Sequence, residues 1–313
     1  MPTPIVEFER VVKLFGAVEA LREISFSIDR GEMFGLIGPD GAGKTTAIRA
    51  LCGLLHVDRG AVRVLGRDPV REHRAITSAV GYLSQRFSLY GDLSIDENIA
   101  FFAEIHGVAD YKARRDRLLD MTQLTPFRTR LADHLSGGMK QKLALACTLV
   151  HEPQVIVLDE PTTGVDPVSR REFWKLLSQF LVSGITIVMS TPYLDEAERC
   201  SRIALLHEGR LLALDQPGHL RAGLPGTLLE VLVKSPREAL RRLMAANQST
   251  RAQVFGDRLH AWINEGDAAA AEDAFRQTAQ QAGLEVGGMR AIRPSLEDVF
   301  IAKLSTNPET PVP

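Results

Sequence analysis

Residues 38–46 have the types and the spacing of a loop that binds the phosphates of a nucleotide. The run Gly38-Pro39-Asp40-Gly41-Ala42-Gly43-Lys44-Thr45-Thr46 fits the pattern G-x-x-x-x-G-K-[ST] between an apolar strand and a helix. Its glycines let successive backbone N–H groups face one anion, and the N-terminus of the following helix adds partial positive charge. Lys44 would reach the β- and γ-phosphates, and the Thr45 hydroxyl would ligate Mg²⁺. The loop therefore predicts the binding of ATP with Mg²⁺.

An apolar stretch further along the chain ends in two acids. Val155–Leu158 has the composition of a strand covered on both faces in a parallel sheet, and Asp159 and Glu160 follow it directly. Adjacent side chains leave a strand in opposite directions, so the two carboxylates would have different tasks. Asp159 suits the Mg²⁺ shell, directly or through water, and Glu160 suits the general base that orients the attacking water. Alone this pattern is weak, but beside a phosphate-binding loop it predicts ATP hydrolysis.

A serine and two glycines at the start of a predicted helix could form a second anion site. The run is Leu135-Ser136-Gly137-Gly138-Met139-Lys140-Gln141. Backbone N–H groups and the helix dipole again favour an anion, although the tripeptide alone would read as a loop and an N-cap. Together with the two motifs above, it resembles the signature of ABC transporter ATP-binding subunits. The resemblance covers about residues 5–220.

This resemblance implies roles for three further residues. Phe15 would stack on adenine, with a core phenylalanine as the alternative. Gln85 would touch Mg²⁺ and the attacking water, and would report to a membrane partner. Asp166 would lie in the loop that links two nucleotide sites across a dimer. Without the resemblance, Asp166 reads as the N-cap of a helix.

Subunits of this family work as head-to-tail pairs, so the resemblance also implies a protein partner. ATP would lie between the phosphate-binding loop of one subunit and Ser136–Gly138 of the other. A second ATPase subunit is therefore expected, and the sequence leaves a homodimer and a heterodimer open.

Two positions depart from the family pattern. Pro192, in Ser190-Thr191-Pro192-Tyr193, stands where the family carries a histidine, and proline offers neither a side-chain donor nor an N–H. Loss of one preorganised donor costs on the order of 10²–10³ in rate. We therefore expect slow hydrolysis at this chain's phosphate-binding loop, with Tyr193 or Thr191 as candidates to compensate. Asp40 is the lesser departure, because asparagine is usual there.

The composition argues against several classes of protein. The formal net charge is −2, so nucleic acid is not expected as a partner. The three cysteines lie far apart and form no CxxC pair, which argues against a disulfide framework and a zinc site. No apolar run approaches the roughly 20 residues that a membrane helix needs, and no secretory signal opens the sequence. A soluble protein is expected.

The alternation of apolar strands with helical segments predicts an α/β fold. We expect a P-loop ABC ATPase domain at 1–222, with a mixed sheet and a helical subdomain at about 86–150. Ser94 and Glu97 form a capping-box signal for the first helix of that subdomain. The stretch 214–225 reads as a linker.

Beyond that stretch the order of elements changes to β-α-β-β-α-β. This order predicts a small C-terminal α+β domain of the ferredoxin-like type at 223–305, before a disordered tail at 306–313. The ending Arg293–Phe300 resembles the drug-resistance, ABC-2 exporter subfamily. The run Gly137–Leu149 is especially similar to the first half of tandem ATPases in bacterial multidrug efflux systems.

That resemblance implies a subunit that energises a separate integral-membrane ABC-2 permease for drug or lipid-like efflux. Such a subunit would be cytoplasmic and peripheral on the inner face of the cell membrane. A groove beside Gln85 would receive a cytoplasmic helix of the permease, and Phe87, Leu89 and Tyr90 would line it unless they are core residues. Two other functions stay open: a soluble ABC ATPase acting on DNA or ribosomes, and a weakly hydrolysing, nucleotide-gated regulatory subunit. The transported substrate is not encoded, since it would contact the permease.

Overall fold

The computed structural model describes residues 4–85, 88–246 and 251–305, and the chain divides into two compact units, 1–217 and 218–313. In the first unit the described strands are β1 (Val6–Phe15), β2 (Val18–Ile28), β3 (Met33–Ile37), β4 (Arg59–Val64), β5 (Val80–Leu83), β6 (Val155–Asp159), β7 (Thr186–Thr191), β8 (Arg202–His207) and β9 (Arg210–Asp215). The described helices are α1 (Lys44–Leu51), α2 (His73–Thr77), α3 (Ile95–Ile105), α4 (Lys112–Thr122), α5 (Gly137–Leu149), α6 (Pro167–Val182) and α7 (Leu194–Ala197).

The larger sheet of the first unit has the strand order β5-β6-β7-β3-β8-β9. Its strand pairs are parallel except for β9, which runs antiparallel to β8. Every residue of β3, β6 and β7 is buried, because these central strands are covered on both faces. A smaller antiparallel sheet has the order β2-β1-β4. The predicted α/β class with a mixed sheet is confirmed.

The two sheets of the first unit share one hydrophobic core. Phe8 of β1, Phe26 of β2 and Phe34 of β3 form a column of stacked rings with centroid separations of 4.4 and 5.4 Å. Ile48 and Leu51 from the buried face of α1 join the same core. The helix that follows the phosphate-binding loop is therefore fixed by packing on both sheets, which in turn fixes the loop.

The segment between β5 and β6 is helical, as the periodicity predicts. It contains α3, α4 and α5 with two short 3₁₀ turns, Thr125–Phe127 and Ala132–His134. The predicted capping box at the start of α3 is confirmed. The Glu97 backbone N–H donates to Ser94 Oγ (3.3 Å), and the Ser94 N–H donates to Glu97 Oε2 (2.8 Å).

The second unit contains a four-stranded antiparallel sheet with helices. Its described elements are α8 (Pro217–Ala222), which begins at the unit boundary, then β10 (Thr227–Leu232), α9 (Pro236–Ala246), β11 (Arg251–Phe255), β12 (Arg258–Ile263), α10 (Ala268–Gln281), β13 (Gly288–Ile292) and α11 (Leu296–Ser305). The strand order is β11-β12-β10-β13. Leu243 of α9 and Phe275 of α10 pack with Leu229 and Leu259 of the sheet in a separate core.

A contact between a histidine and a carboxylate ties α11 to the sheet of this unit. His260 Nδ1 of β12 lies 2.8 Å from Asp298 Oδ1, and both side chains are buried. Ser295, just before α11, donates its hydroxyl to the other oxygen of Asp298 at 2.7 Å. These contacts lower the pKa of Asp298 although burial alone would raise it. The ferredoxin-like assignment of this unit stays a prediction.

Some sequence predictions are wrong, and others fall on parts of the chain outside the structure. The predicted linker at 214–225 contains the end of β9 and helix α8, which has Pro217 at its first position. The last strand of the predicted β-α-β-β-α-β order is β13, which begins at Gly288. Phe87 and the tail at 306–313 lie outside the described residues.

Two predictions from composition can be compared with the fold. Among the described residues, no helix is both long enough and apolar enough to cross a membrane. The three cysteines, Cys52, Cys147 and Cys200, are unpaired and buried. Burial raises the pKa of Cys200 to about 12, so its thiol stays protonated near neutral pH.

Candidate functional site

The phosphate-binding loop joins the end of β3 to the start of α1, and its backbone requires glycine at two positions. Gly43 has a φ of 99°, in the left-handed region that side chains disfavour. At Gly38, a Cβ atom would lie 2.2 Å from the carbonyl oxygen of Leu206. Leu206 belongs to β8, the neighbour of β3 in the sheet. The sheet therefore leaves no room for a side chain where the loop begins.

Lys44 is the first residue of α1, and its ammonium group turns back into the loop. Its side chain is only 4% exposed. Nζ donates to the carbonyl oxygens of Gly38 (2.9 Å) and Pro39 (3.1 Å) and pairs with Glu160 Oε1 (3.1 Å). A buried ammonium group needs such partners, because its desolvation is costly. The sequence places Lys44 and Glu160 in one site but does not predict their direct contact.

Glu160 stands directly after β6 and is held on both sides. Its Oε2 accepts a hydrogen bond from Gln85 Nε2 at 3.1 Å, so the carboxylate lies between Lys44 and Gln85. Its backbone N–H donates to Ser190 Oγ of β7 at 3.0 Å. Glu160 has a φ of 47°, a strained conformation for a non-glycine residue. Such strain persists where the surrounding contacts determine the geometry, as they do here.

Asp159 points to the other side of β6, as the alternation of side chains along a strand requires. It is 2% exposed. Its Oδ1 accepts from the hydroxyls of Thr45 (3.1 Å) and Ser190 (2.6 Å). Ser190 is a site residue that the sequence reasoning missed, although it is the partner of Asp159 in the β6–β7 register.

The oxygen atoms around Asp159 fit a hard divalent cation. The Thr45 hydroxyl and the Asp159 carboxylate lie within hydrogen-bond distance of one another, and both are ligand types that Mg²⁺ prefers. Gln85 contacts the adjacent Glu160 through its Nε2. Thr45 belongs to the phosphate-binding loop, Asp159 contacts Thr45, and Gln85 lines the same cavity as the loop. All three residues named as Mg²⁺ ligands therefore lie at the loop.

A cavity of about 550 Å³ lies over the phosphate-binding loop. Its lining includes residues 40–46 of the loop together with Phe15, Ala20, Gln85, Glu160, Thr163, Pro192 and Tyr193. Phe15 is 51% exposed at the edge of this cavity, which excludes the alternative of a core phenylalanine. The ammonium group of Lys13 lies 5.3 Å from the centre of the Phe15 ring. The stacking of Phe15 on adenine stays a prediction.

The signature residues do not line this cavity. Ser136 caps α5, and its Oγ accepts from the Met139 backbone N–H at 3.3 Å. Ser136 and Gly137 are exposed, whereas Gly138 is buried against α6. A Cβ atom on Gly138 would lie 2.2 Å from Ser169 Oγ.

Asp166 also lies outside the cavity and caps α6. Its Oδ1 accepts from the backbone N–H groups of Val168 and Ser169, each at 3.0 Å. Hydrogen bonds from Ser169 and the helix N-terminus lower the pKa of Asp166. The N-cap that the sequence offers as the alternative is therefore present. The role of Asp166 in linking two nucleotide sites across a dimer stays a prediction.

A buried carboxylate that the sequence reasoning missed, Glu196, accepts hydrogen bonds from three side chains. Glu196 is 1% exposed. It accepts from the Thr162 hydroxyl (2.6 Å), the Thr191 hydroxyl (2.7 Å) and Arg170 Nε (2.6 Å). The network joins the segment after β6, the end of β7 and helix α6. No local sequence pattern marks it, because Thr162 and Arg170 lie far from Glu196 in the chain.

Known proteins resemble this chain in sequence. The family model described as ABC transporter matches residues 21–163. A probable multidrug ABC transporter ATP-binding protein, YbhF of Escherichia coli, is 46% identical over 72% of this chain and 39% of its own length. The chain thus spans about two fifths of that relative. It spans 97% of Nod factor export ATP-binding protein I of Paraburkholderia xenovorans, with 36% identity over 96% of this chain. The daunorubicin resistance ATP-binding protein DrrA3 of Streptomyces coeruleorubidus is 34% identical over 92% of each chain.

Solved structures show the same architecture. An ATP-binding subunit of an ABC transporter superposes with a TM-score of 0.64 and 30% identity, covering 70% of this chain and 92% of that one. The ATP-binding cassette MJ0796, solved as a dimer in a post-hydrolysis state with ADP and Pi, has a TM-score of 0.60 and 25% identity. That match covers 67% of this chain and 98% of the cassette.

Proposed function

The chain belongs to the ABC transporter family as an ATP-binding and ATP-hydrolysing subunit, and we propose that it drives a separate ABC-2 type membrane exporter. One observation carries the chemical part of this proposal. The phosphate-binding loop and Glu160 line one cavity, where Lys44 and Gln85 both contact the Glu160 carboxylate. The Asp159 carboxylate lies behind this lining and accepts a hydrogen bond from Thr45 of the loop. The names of the relatives, which refer to multidrug transport, Nod factor export and daunorubicin resistance, support export of a drug or lipid-like molecule.

The residues of the cavity have separate tasks in the proposed hydrolysis. The loop N–H groups and Lys44 bind the phosphates, and Lys44 exchanges its carbonyl contacts for phosphate oxygens as it does so. Glu160 accepts the proton of the attacking water, which Gln85 helps to orient. Thr45, Asp159 and Gln85 would hold Mg²⁺, which neutralises the developing negative charge when it is bound.

The complete site requires a second ATPase subunit in this proposal. Ser136 and Gly137 are exposed at the N-terminus of α5 and lie outside the cavity of their own chain. They are available to the ATP of a partner subunit. The next residue, Gly138, packs against Ser169, whose backbone N–H donates to Asp166. A homodimer and a heterodimer both satisfy this arrangement.

We propose that the permease docks on the surface formed by Leu89 and Tyr90. Tyr90 is 46% exposed and rests edge-on against Phe101, with ring centres 4.5 Å apart. Leu89 is half-buried beside it. A tyrosine and an apolar neighbour at the surface suit an amphipathic helix. Docking there would place the chain on the inner face of the membrane.

Pro192 supports a slow reaction. It lines the cavity beside Tyr193, and its side chain offers no donor to the γ-phosphate. We expect the unequal pair, in which a second ATPase carries the histidine, to be the working assembly. The same observation favours, as a second candidate, a nucleotide-gated subunit with little turnover.

The experiment is to purify the chain from detergent-solubilised membranes of its own organism, to identify any membrane protein that co-purifies with it, and to measure ATP turnover. The proposal requires co-purification with the membrane protein and turnover that is lost in Glu160→Gln. Co-purification with turnover equal to that of Glu160→Gln would favour the nucleotide-gated subunit. Failure to associate with any permease, with turnover intact, would favour a soluble ABC ATPase.

A further inference from the structure

We propose that the hydroxyl group of Tyr193 donates a hydrogen bond to the transferring phosphoryl group of ATP, which makes Tyr193 a catalytic residue. The inference rests on the proposed hydrolysis and adds a residue to it. It identifies the donor that operates at a site where Pro192 has none.

The first observation is the set of side-chain donors around Glu160. Lys44 and Gln85 line the cavity, and both already contact the Glu160 carboxylate. Pro192 has no donor. Tyr193 lines the same cavity, is 39% exposed, and its hydroxyl makes no hydrogen bond to any residue that the structure describes. A phenol is both a donor and an acceptor, so this hydroxyl is available to a ligand.

The second observation is that both ends of Tyr193 are anchored. Its backbone N–H donates to Thr191 Oγ1 at 3.1 Å. Its ring lies against the guanidinium group of Arg170, whose central carbon is 4.9 Å from the ring centre. Arg170 is itself bound to Glu196 and to Asp195, and Thr191 donates to Glu196.

These anchors give the phenol what an electrostatic catalyst needs. The buried Glu196 fixes both Thr191 and Arg170, and these two residues hold the backbone and the ring of Tyr193. A donor held in place before the reaction has little reorganisation energy to supply when charge develops. Thr163 is the rival donor in the same lining, and its hydroxyl is likewise unbonded within the described chain. Unlike the ring of Tyr193, which lies against Arg170, its side chain has no anchoring contact among the described residues.

Tyr193 forms no covalent bond in this step. The oxygen of water attacks the γ-phosphorus, the bond from that phosphorus to the bridging oxygen breaks, and ADP leaves with the electron pair. The proton of the water passes to Glu160. The Tyr193 O–H donates a hydrogen bond to a non-bridging oxygen of the γ-phosphoryl group and keeps its proton throughout.

The test compares Tyr193→Phe with wild type in the full-length chain, measuring kcat and KM for ATP together with binding of a non-hydrolysable ATP analogue. This variant keeps the ring, and therefore the contact with Arg170, while it removes the hydroxyl. We expect kcat to fall by about tenfold or more, because the loss of one preorganised donor costs on the order of 10²–10³. Nucleotide affinity and the melting temperature should stay close to those of wild type.

Tyr111→Phe is the matched control, because Tyr111 also lies under an arginine, Arg115, at 5.9 Å, but does not line the cavity. A fall in kcat of less than about tenfold for Tyr193→Phe, or an equal fall for Tyr111→Phe, would overturn the inference. A larger fall for Thr163→Val than for Tyr193→Phe would also overturn it and assign the donor to Thr163. If wild type binds ATP but turns it over no faster than Glu160→Gln, the proposed hydrolysis itself fails.

Discussion

Replacement of Glu196 by glutamine should destabilise the first unit far more than replacement of its neighbour Asp195 by asparagine. Both carboxylates bind Arg170, at 2.6 Å for Glu196 and 3.0 Å for Asp195. Their environments differ, because the side chain of Glu196 is 1% exposed and that of Asp195 is 74% exposed. The comparison therefore holds the arginine constant and varies the burial of its partner.

The expected magnitude follows from the three donors that Glu196 accepts. A hydrogen bond to a charged group contributes about 1.5–3 kcal/mol, against about 0.5–1.5 kcal/mol for a neutral one. Glutamine keeps the shape, loses the charge and offers one acceptor oxygen, so roughly 1 kcal/mol is lost at each of Thr162, Thr191 and Arg170. The three losses add to roughly 3 kcal/mol, and the partial exposure of Arg170 makes its share the smallest. We therefore expect Glu196→Gln to lower the free energy of unfolding by about 2–4 kcal/mol in total. Asp195→Asn should cost less than about 1 kcal/mol.

The assay is urea unfolding followed by the fluorescence of Trp174. Trp174 lies on α6 in the first unit and is 4% exposed, whereas the other tryptophan, Trp262, belongs to the second unit. A Trp262→Phe background therefore reports on the first unit alone. Costs within about 0.5 kcal/mol of each other for Glu196→Gln and Asp195→Asn would refute the reasoning. Burial of the carboxylate would then not determine the strength of the contact.

Three further outcomes are expected. Glu160→Gln should lower kcat by about 10²–10⁴-fold while ATP binding is retained, because a general base contributes on that scale. Unchanged turnover would show that Glu160 is not the general base. Pro192→His should raise kcat about tenfold by adding a donor beside Tyr193, and turnover equal to wild type would contradict the expected slow site. Burial, together with the neighbouring His106 stacked at 3.8 Å, lowers the pKa of His151 from 6.5 to about 4. Between these two pH values the unfolded chain therefore binds a proton at His151 that the folded chain does not bind. Stability should fall as pH drops from 6.5 towards 4, and His151→Phe should show a flatter urea midpoint over that range.

The phosphate-binding loop and the two acids of β6 could be predicted because each is a local pattern. Gly38–Lys44 must curl around an anion, and the apolar run before Asp159 must be a buried strand, so composition and spacing suffice. The capping box at Ser94 belongs to the same class. Its two hydrogen bonds join residues three positions apart.

The contacts that were not predicted join distant parts of the chain. Ser190 meets Asp159 because β6 and β7 are neighbours in register. Glu196 meets Thr162 and Arg170 only after α6 and β7 have packed. Phe15 is a different case, since an exposed aromatic beside a cavity and a core phenylalanine have the same sequence pattern.

The close packing of α5 on α6 at Gly138 should limit which residues related sequences can carry there. It has no side chain, and this absence lets Ser169, in the first turn of α6, sit where a Cβ atom would otherwise be. Ser169 in turn donates its N–H to Asp166. Any enlargement at position 138 must be matched by a change at 169 or by a displacement of α6 that carries Asp166 with it. We therefore expect the residues at the two helix starts to vary together, although the two positions lie in different helices far apart in the chain.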